Sequence, residues 1–152
     1  MRAHLITGGA VGLLTLIQFV PIERENPPVL HEVSAPTNAL AVLERSCYDC
    51  HSNETNWPWY SYVAPISWLI TYDVSEGRNA MNFSEWNFYE PVEQIDLMDR
   101  ILEQIDENRM PLWYYVPLHP EAELTRADLA VLRSWISADA EQPEGVEFTG
   151  TR

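Results

Sequence analysis

The only two cysteines of this 152-residue chain lie three positions apart, in the stretch Cys47-Tyr48-Asp49-Cys50-His51. This C-x-x-C-H pattern is the attachment signal of a c-type haem. Two thiols at this spacing on a helical turn can each add to one vinyl group of the same porphyrin. The histidine that follows then lies beneath the iron as its proximal ligand. The pattern therefore predicts one covalent haem c on Cys47 and Cys50, with His51 as an axial iron ligand.

The amino-terminal region is apolar and uncharged. Residues 5–20 read LITGGAVGLLTLIQFV behind Arg2. Sixteen helical residues span about 24 Å, which suits either a signal-peptide core or a short membrane anchor. No A-x-A-like cleavage triplet follows at the usual distance, so we favour an uncleaved transmembrane helix within residues 1–22. Arg2 places the amino terminus in the cytoplasm. The rest would then lie in the periplasm, at the cytoplasmic membrane.

The remainder of the chain divides into a Pro-rich linker at 23–36, a globular domain at 37–142 and a tail at 143–152. Apolar residues of the domain recur at three- and four-residue steps, and strand-like alternation is nearly absent, so the domain is predicted to be mostly α. The predicted helices are a short one capped by Thr37 or Asn38 and ending near Ser46, one from Pro65 to Glu76 with Gly77 as its stop, one from Pro91 to Glu107, and one from Thr125 with Asp128 in a capping box.

The charge balance excludes one class of partner. The chain carries 23 acidic and nine basic residues, for a formal net charge of −14. Such a surface repels nucleic acid. It can attract a cationic redox protein over a long range. The simpler interpretation, that acidity only keeps an exported protein soluble, is open as well.

A cytochrome site needs a decision about its second axial ligand. Met98 falls in a helical apolar stripe, which indicates core packing, and Met81 has no distinguishing local signal. Met110 lies in a loop before the last helix, where Pro111 biases its backbone toward an extended conformation. A thioether ligand raises the reduction potential and suits an electron carrier. We predict Met110 as this ligand, with His119 or an open site as alternatives.

Aromatic residues are abundant, with six tryptophans and seven tyrosines. Flat side chains can line a porphyrin slot and exclude water, although for any one of them ordinary core packing is the competing interpretation. Arginines can pair with the haem propionates through a bidentate guanidinium, or can be exposed or structural charges. The candidates are Trp57, Trp59, Trp68, Trp113 and Tyr114 for the pocket, and Arg78 and Arg109 for the propionates.

Many short pieces, in one order over nearly the whole chain, resemble the haem-binding domain family of bacterial exported proteins. They are Gln18-Phe19-Val20-Pro21, Glu23-Arg24-Glu25-Asn26-Pro27-Pro28, Cys47-Tyr48-Asp49-Cys50-His51-Ser52-Asn53, Trp57-Pro58-Trp59-Tyr60, Ala64-Pro65-Ile66-Ser67-Trp68-Leu69, Gly77-Arg78, Asn82-Phe83-Ser84-Glu85-Trp86, Met110-Pro111 and His119-Pro120-Glu121-Ala122. The resemblance implies a cytochrome c-like monohaem domain with Cys47 and Cys50 as attachment points and His51 as ligand.

The functional prediction is a monohaem electron-transfer protein outside the cytoplasmic membrane, either a free-swinging carrier or a subunit of a membrane redox complex, and not itself an enzyme. Its partners would be redox proteins, with the membrane reached through the amino-terminal helix. The alternative is a haem enzyme or gas sensor with an open distal iron. A haem-free thiol–disulfide protein needs a βαβ pattern, and a zinc site needs further ligands; the sequence shows neither.

Overall fold

The computed structural model describes the backbone of residues 2–141 and the side chains of residues 6–139. Within that range the chain forms six α-helices and no β-strand, which confirms the mostly α prediction. The helices are α1 Arg2–Leu16, α2 Thr37–Ser46, α3 Tyr48–His51, α4 Ile66–Ala80, α5 Pro91–Asp106 and α6 Arg126–Glu141. The predicted tail at 143–152 lies outside the described residues.

The core lies between α2, α5 and α6. α2 packs against α3 and α6, and α5 packs against α6. The apolar stripe predicted for α5 is confirmed at Met98 and at Ile105, because both residues are buried. Leu132 and Trp135 of α6 are buried opposite that stripe in the same apolar cluster. The single turn of α3 contributes Tyr48 to this core and packs against α4.

The two longest helices of the domain begin where local signals predict. α5 starts at Pro91, the first helical position that proline favours. α6 follows a capping box: the Thr125 backbone N–H donates to Asp128 Oδ2 at 2.8 Å, and the Asp128 N–H donates to Thr125 Oγ1 at 3.2 Å. Both predictions are confirmed because each signal is contained in a few neighbouring residues.

Three predicted boundaries are wrong, and the first of them is the start of α4, which lies at Ile66 with Pro65 preceding it. Thr37 is itself the first residue of α2, and Pro36 precedes it without any side-chain cap. α4 does not stop before Gly77 but continues to Ala80. The glycine serves a tertiary contact instead, because a Cβ atom at Gly77 would lie 2.4 Å from the carbonyl oxygen of Cys50. Only a residue without a side chain lets α4 approach α3 so closely.

The transmembrane helix predicted within residues 1–22 is not supported. α1 ends at Leu16, and a 3-10 turn follows over Ile17–Phe19. The end coincides with Gln18, whose amide donates back to the Leu14 carbonyl at 2.9 Å and across to the Ala64 carbonyl at 3.0 Å. Among the described residues, no helix has both the length and the apolar character needed to cross a bilayer.

The Pro-rich segment at 23–36 is extended and lies against the domain. The Asn26 side-chain amide donates to the Thr55 carbonyl at 2.9 Å, and the Val33 N–H donates to the Phe83 carbonyl at 2.9 Å. These bonds fix the segment along the surface that surrounds α3. It therefore supports the site from behind rather than acting as a loose tether.

Candidate haem-binding cleft

The C-x-x-C-H motif folds into one tight helical turn. The N–H groups of Cys50 and His51 both donate to the Cys47 carbonyl, at 3.1 and 2.9 Å. Both cysteines are partly buried and form no disulfide. Burial raises the pKa of each thiol to about 12. Thiols used for disulfide exchange have lowered pKa values, so this environment speaks against the thiol–disulfide alternative.

The His51 ring is oriented by backbone carbonyls of α4 and the residue after it. Its Nδ1 lies 3.2 Å from the Met81 carbonyl oxygen, which can only accept a hydrogen bond, so Nδ1 carries the proton. Burial lowers the pKa of the imidazole, while the carbonyls of Met81 and Gly77 oppose that shift. The result is a neutral ring with an unprotonated Nε2, the form in which histidine binds a metal.

A cleft opens beside this ring in two adjoining cavities. The α5 cavity has a volume of about 250 Å³ and the α4 cavity about 350 Å³. Both are lined by Ser46, Cys47, His51, Ala80, Met110 and Pro111. The α5 cavity adds Met81, Phe83, Leu97, Arg100, Ile101, Gln104, Ile105 and Leu124, and the α4 cavity adds Asp49, Cys50, Tyr72, Asp73, Glu76, Gly77, Leu112, Tyr114 and Tyr115.

Met110 is held at this cleft by the carboxyl end of α5. The backbone N–H groups of Arg109 and Met110 both donate to the Gln104 carbonyl, at 2.9 and 3.2 Å. Asn108 provides the turn that makes this possible, with a positive φ of 55° that asparagine tolerates better than most residues. The structure thus brings the predicted ligand pair, His51 and Met110, to one cleft.

The other candidate ligands are less suitable. Both ring nitrogens of His119 have partners, because Nε2 is hydrogen-bonded to the Tyr60 hydroxyl and Nδ1 lies 3.2 Å from Glu121 Oε1. Met81 also lines the α5 cavity, but its carbonyl contacts Nδ1 of His51, on the opposite side of the ring from Nε2. Met110 has neither restriction.

Two tyrosines tie the Met110 loop to the motif. Tyr115 donates to Asp49 Oδ2 at 2.5 Å, and Tyr114 donates to Asp73 Oδ2 of α4 at 3.1 Å. Burial is the main cause that raises the pKa of both phenols, to about 12 for Tyr114, with the adjacent carboxylates adding to the shift. Both hydroxyls therefore stay protonated and keep donating at neutral pH.

The chemistry of the cleft suits haem c. Its walls are mainly apolar, it presents two free thiols and a neutral imidazole, and a thioether lies in the same cleft. The buried hydroxyl of Ser46 has no hydrogen-bond partner among the described residues of the protein. Buried polar atoms are normally hydrogen-bonded, so a bound group or a water would satisfy it. These residues match the needs of a thioether-linked porphyrin.

The two rims of the cleft differ in charge. The α4 rim carries the carboxylates of Asp73 and Glu76, whereas the α5 rim carries Arg100 and Gln104. No ion pair or hydrogen bond is found for the Arg100 guanidinium among the described side chains. The α5 rim is therefore the one whose charge suits a carboxylate-bearing haem edge.

Several residues predicted for the pocket line neither cavity. Arg78 instead donates from Nε to the Ser52 carbonyl at 2.8 Å and from an NH2 group to Thr55 Oγ1 at 2.9 Å, behind the motif. Arg109 is exposed and pairs with glutamates 103 and 107. The tryptophans at 57, 59, 68 and 113 also lie away from both cavities, and only Tyr114 of the predicted aromatics lines the α4 cavity.

Sequence reasoning missed several cleft residues. Asp49 carries a signal in hindsight, because a carboxylate inside the motif needs a donor once the turn is buried. Arg100 lies in α5 directly after Asp99, outside the predicted apolar stripe. Nothing in the neighbouring sequence distinguishes it from the other surface arginines. Ser46 is likewise an unremarkable helix-end residue. Their roles depend on which elements meet in space, which local patterns do not contain.

Comparison with known proteins gives one match. A model of a family described as a haem-binding domain matches residues 12–138, which is most of the chain. No curated protein and no solved structure matches it. The match includes the motif, the segment that lies against it, α4, α5 and the Met110 loop, so it covers every residue that lines the cleft.

Proposed function

The chain belongs to the haem-binding domain family, and we propose that it is a monohaem c-type cytochrome that transfers electrons outside the cytoplasm. The observation that carries the proposal is the placement of Cys47, Cys50, His51 and Met110 around one cleft. Two attachment thiols with one imidazole and one thioether form the ligand set of an electron carrier, since the thioether raises the reduction potential.

Each residue has a separate task in this proposal. Cys47 and Cys50 would hold the haem by thioether bonds. His51 would hold the iron through Nε2, because the Met81 carbonyl occupies Nδ1. Met110, fixed through the Gln104 carbonyl, would supply the second iron ligand. Arg100, which lines the α5 cavity, would pair with the propionates.

Bound haem supplies a one-electron ferric–ferrous couple, and the protein sets its potential and its access. Apolar walls such as Leu97, Ile101 and Ile105 exclude water and lower the local dielectric. Met110 would compete with any exogenous ligand for the iron. With His51 and Met110 both holding the iron, the haem would exchange electrons rather than bind a substrate.

The partners in this proposal are redox proteins with a basic docking surface. The chain carries a net charge of −14, and Asp73 and Glu76 lie on the rim of the α4 cavity. Long-range attraction would speed the encounter with a cationic partner and would weaken as salt increases. The location that fits is the periplasmic side of the cytoplasmic membrane, as a carrier or as a subunit of a redox complex.

The ligand assignment is tested with Met110→Ala in protein produced by a host that attaches haem to C-x-x-C-H motifs. We expect haem to remain covalently bound, the iron to lose its six-coordinate low-spin spectrum, and the reduction potential to fall. Met98→Leu is the matched control, because Met98 is buried in α5 and lines neither cavity. It should keep the wild-type spectrum.

Two results would contradict this assignment. Met110→Ala could retain the spectrum and potential of the wild type, which would remove Met110 as the ligand. The wild-type protein could instead be high-spin and bind added ligands at once, which would favour the haem enzyme or gas sensor with an open iron.

A further inference from the structure

Two long stretches of this acidic chain carry no charge. Residues 5–22 and 55–72 contain no aspartate, glutamate, lysine or arginine, and no other such run exceeds eleven residues. In a chain with 23 acidic residues this segregation calls for a physical reason. The first stretch contains α1 from residue 5 onward, and the second contains the 3-10 turn Trp59–Tyr62 and the first half of α4.

The structure joins these two stretches. The side-chain amide of Gln18 pairs with both backbone groups of Ala64: Nε2 donates to the Ala64 carbonyl at 3.0 Å, and the Ala64 N–H donates to Oε1 at 3.0 Å. Ala64 is buried between the 3-10 turn and α4. The end of α1 is therefore fixed beside the second uncharged stretch.

The second stretch turns large apolar side chains toward solvent. Their exposed fractions run from 39% for Trp68 to 78% for Trp59. We call this surface the neutral face, and its members are Trp59, Tyr62, Val63, Ile66 and Leu69, with Trp68. Large apolar side chains that are exposed together in one segment mark an interaction site.

α1 exposes apolar side chains all around. Ile6, Leu13 and Leu16 are 73%, 62% and 68% exposed, and Phe19 just beyond the helix is 79% exposed. A protein groove covers only one side of such a helix. A lipid environment covers every side, and this distinguishes a bilayer from a protein partner as the occupant.

We propose that the neutral face binds the surface of a phospholipid bilayer into which the side chains of α1 insert. Biological bilayers carry negative surface charge, which repels acidic groups within roughly 8 Å at physiological salt. An acidic domain can approach only through an uncharged surface. Tryptophan and tyrosine prefer this interfacial layer because each has an apolar body and a polar tip.

The edge of the neutral face agrees with this orientation. Arg24 lies with its guanidinium carbon 4.3 Å from the centre of the Tyr62 ring and donates to the Ser61 carbonyl at 3.1 Å. A cation at the rim of an apolar contact meets the phosphate layer of the headgroups. The proposal requires insertion of apolar side chains and does not require α1 to cross the bilayer. It is independent of the haem ligands.

The test uses the full-length holoprotein with one added cysteine, which is the only free thiol once haem occupies the native pair. A nitroxide is attached at Trp59→Cys or Ile66→Cys, and at Val92→Cys as a control. Val92 is 69% exposed and lies in α5, which packs against α6. Accessibility to a water-soluble relaxant and to oxygen is measured with and without vesicles of phosphatidylcholine and phosphatidylglycerol.

With vesicles, we expect the nitroxides at 59 and 66 to lose accessibility to the aqueous relaxant and gain accessibility to oxygen, while the nitroxide at 92 does not change. Adding Tyr62→Glu should abolish the protection at 59. Equal aqueous accessibility at 59, 66 and 92 in vesicles would overturn the proposal. So would protection at 59 and 66 that is already complete without lipid and depends on protein concentration, since that indicates a second copy. Labelling of more than one thiol reports incomplete haem attachment, a failure separate from this one.

Discussion

The two sides of the cleft are built in different ways. The proximal half consists of α3 and the carboxyl end of α4, where the Gly77 backbone abuts Cys50 and the Met81 carbonyl orients His51. The distal half is the loop at 107–119, which holds Met110. Main-chain contacts and burial shape the proximal half, whereas the distal half is tied down mainly by side-chain hydroxyls such as that of Tyr115.

Because of this difference, the two halves of the cleft should tolerate movement to different extents. A close backbone contact cannot relax without moving two helices, because protein interiors are tightly packed. A loop held by a few side-chain hydrogen bonds can move and return. The proximal half should therefore decide whether the holoprotein folds, and the distal half should decide how the iron behaves.

Gly77→Ala should have the largest effect. Its Cβ would lie 2.4 Å from the Cys50 carbonyl oxygen and 2.9 Å from the carbonyl carbon, and neither backbone atom can rotate away. Overpacking of this kind costs about 3 kcal/mol in the free energy of unfolding. Urea unfolding of the holoprotein measures it, with Asn79→Ala, exposed on the same helix, as the control. Wild-type stability in Gly77→Ala would show that α3 and α4 are not in close contact.

Arg78→Met should come next. The guanidinium donates to the Ser52 carbonyl and to Thr55 Oγ1, so its removal leaves two acceptors on buried residues behind the motif without this donor. We expect a loss of about 2 kcal/mol. Only arginine presents several N–H donors in a planar fork, so Arg78→Lys should not restore the lost unfolding free energy. Arg126→Met, on the exposed start of α6, should change the unfolding free energy little.

Tyr115→Phe separates the two halves. It removes the hydrogen bond from the Met110 loop to Asp49, which should cost about 1.5 kcal/mol, because the acceptor is charged. Haem attachment should be normal, but the loop should open more often. Added cyanide should therefore bind the iron faster than in the wild type, as followed by stopped-flow absorbance. Tyr62→Phe, an exposed tyrosine that lines neither cavity, is the control. An unchanged cyanide rate would mean that this bond does not hold the loop.

Arg100→Gln should have the smallest effect on folding. The side chain is exposed at the α5 rim, so its loss should leave the unfolding free energy almost unchanged. Removing a positive charge near the haem favours the ferric state, so the reduction potential should fall. Arg100→Lys should restore most of it, and Arg126→Gln should not alter it. If the reduction potential does not change in Arg100→Gln, the haem propionates do not lie near Arg100.

Local sequence patterns predicted those features of the structure that depend only on neighbouring residues. The motif, the start of α5 at Pro91 and the Thr125–Asp128 box were predictable because each is complete within a few residues. Gly77 was predicted to stop α4, but a contact with Cys50 from another helix overrode that signal. Propensity yields to tertiary packing at such positions.

The arginines near the cleft show the same limit of prediction from local sequence. Arg78 and Arg109 were candidates for the propionates because a guanidinium can pair with a carboxylate, yet one holds the motif from behind and the other pairs with neighbouring glutamates. Arg100, which lines the cleft, has no local signal at all. Which arginine reaches the haem depends on how α5 packs against α2 and α6, and only the folded arrangement provides that information.

The most direct test of the central claim is the intact mass and absorption spectrum of the full chain, produced in a host that matures c-type cytochromes. The protein should be heavier than its polypeptide by one haem, keep that mass after denaturation, and show a Soret band. Cys47→Ala combined with Cys50→Ala should lose the covalent mass. A denatured wild-type protein with the mass of the polypeptide alone and no Soret absorption would contradict the account.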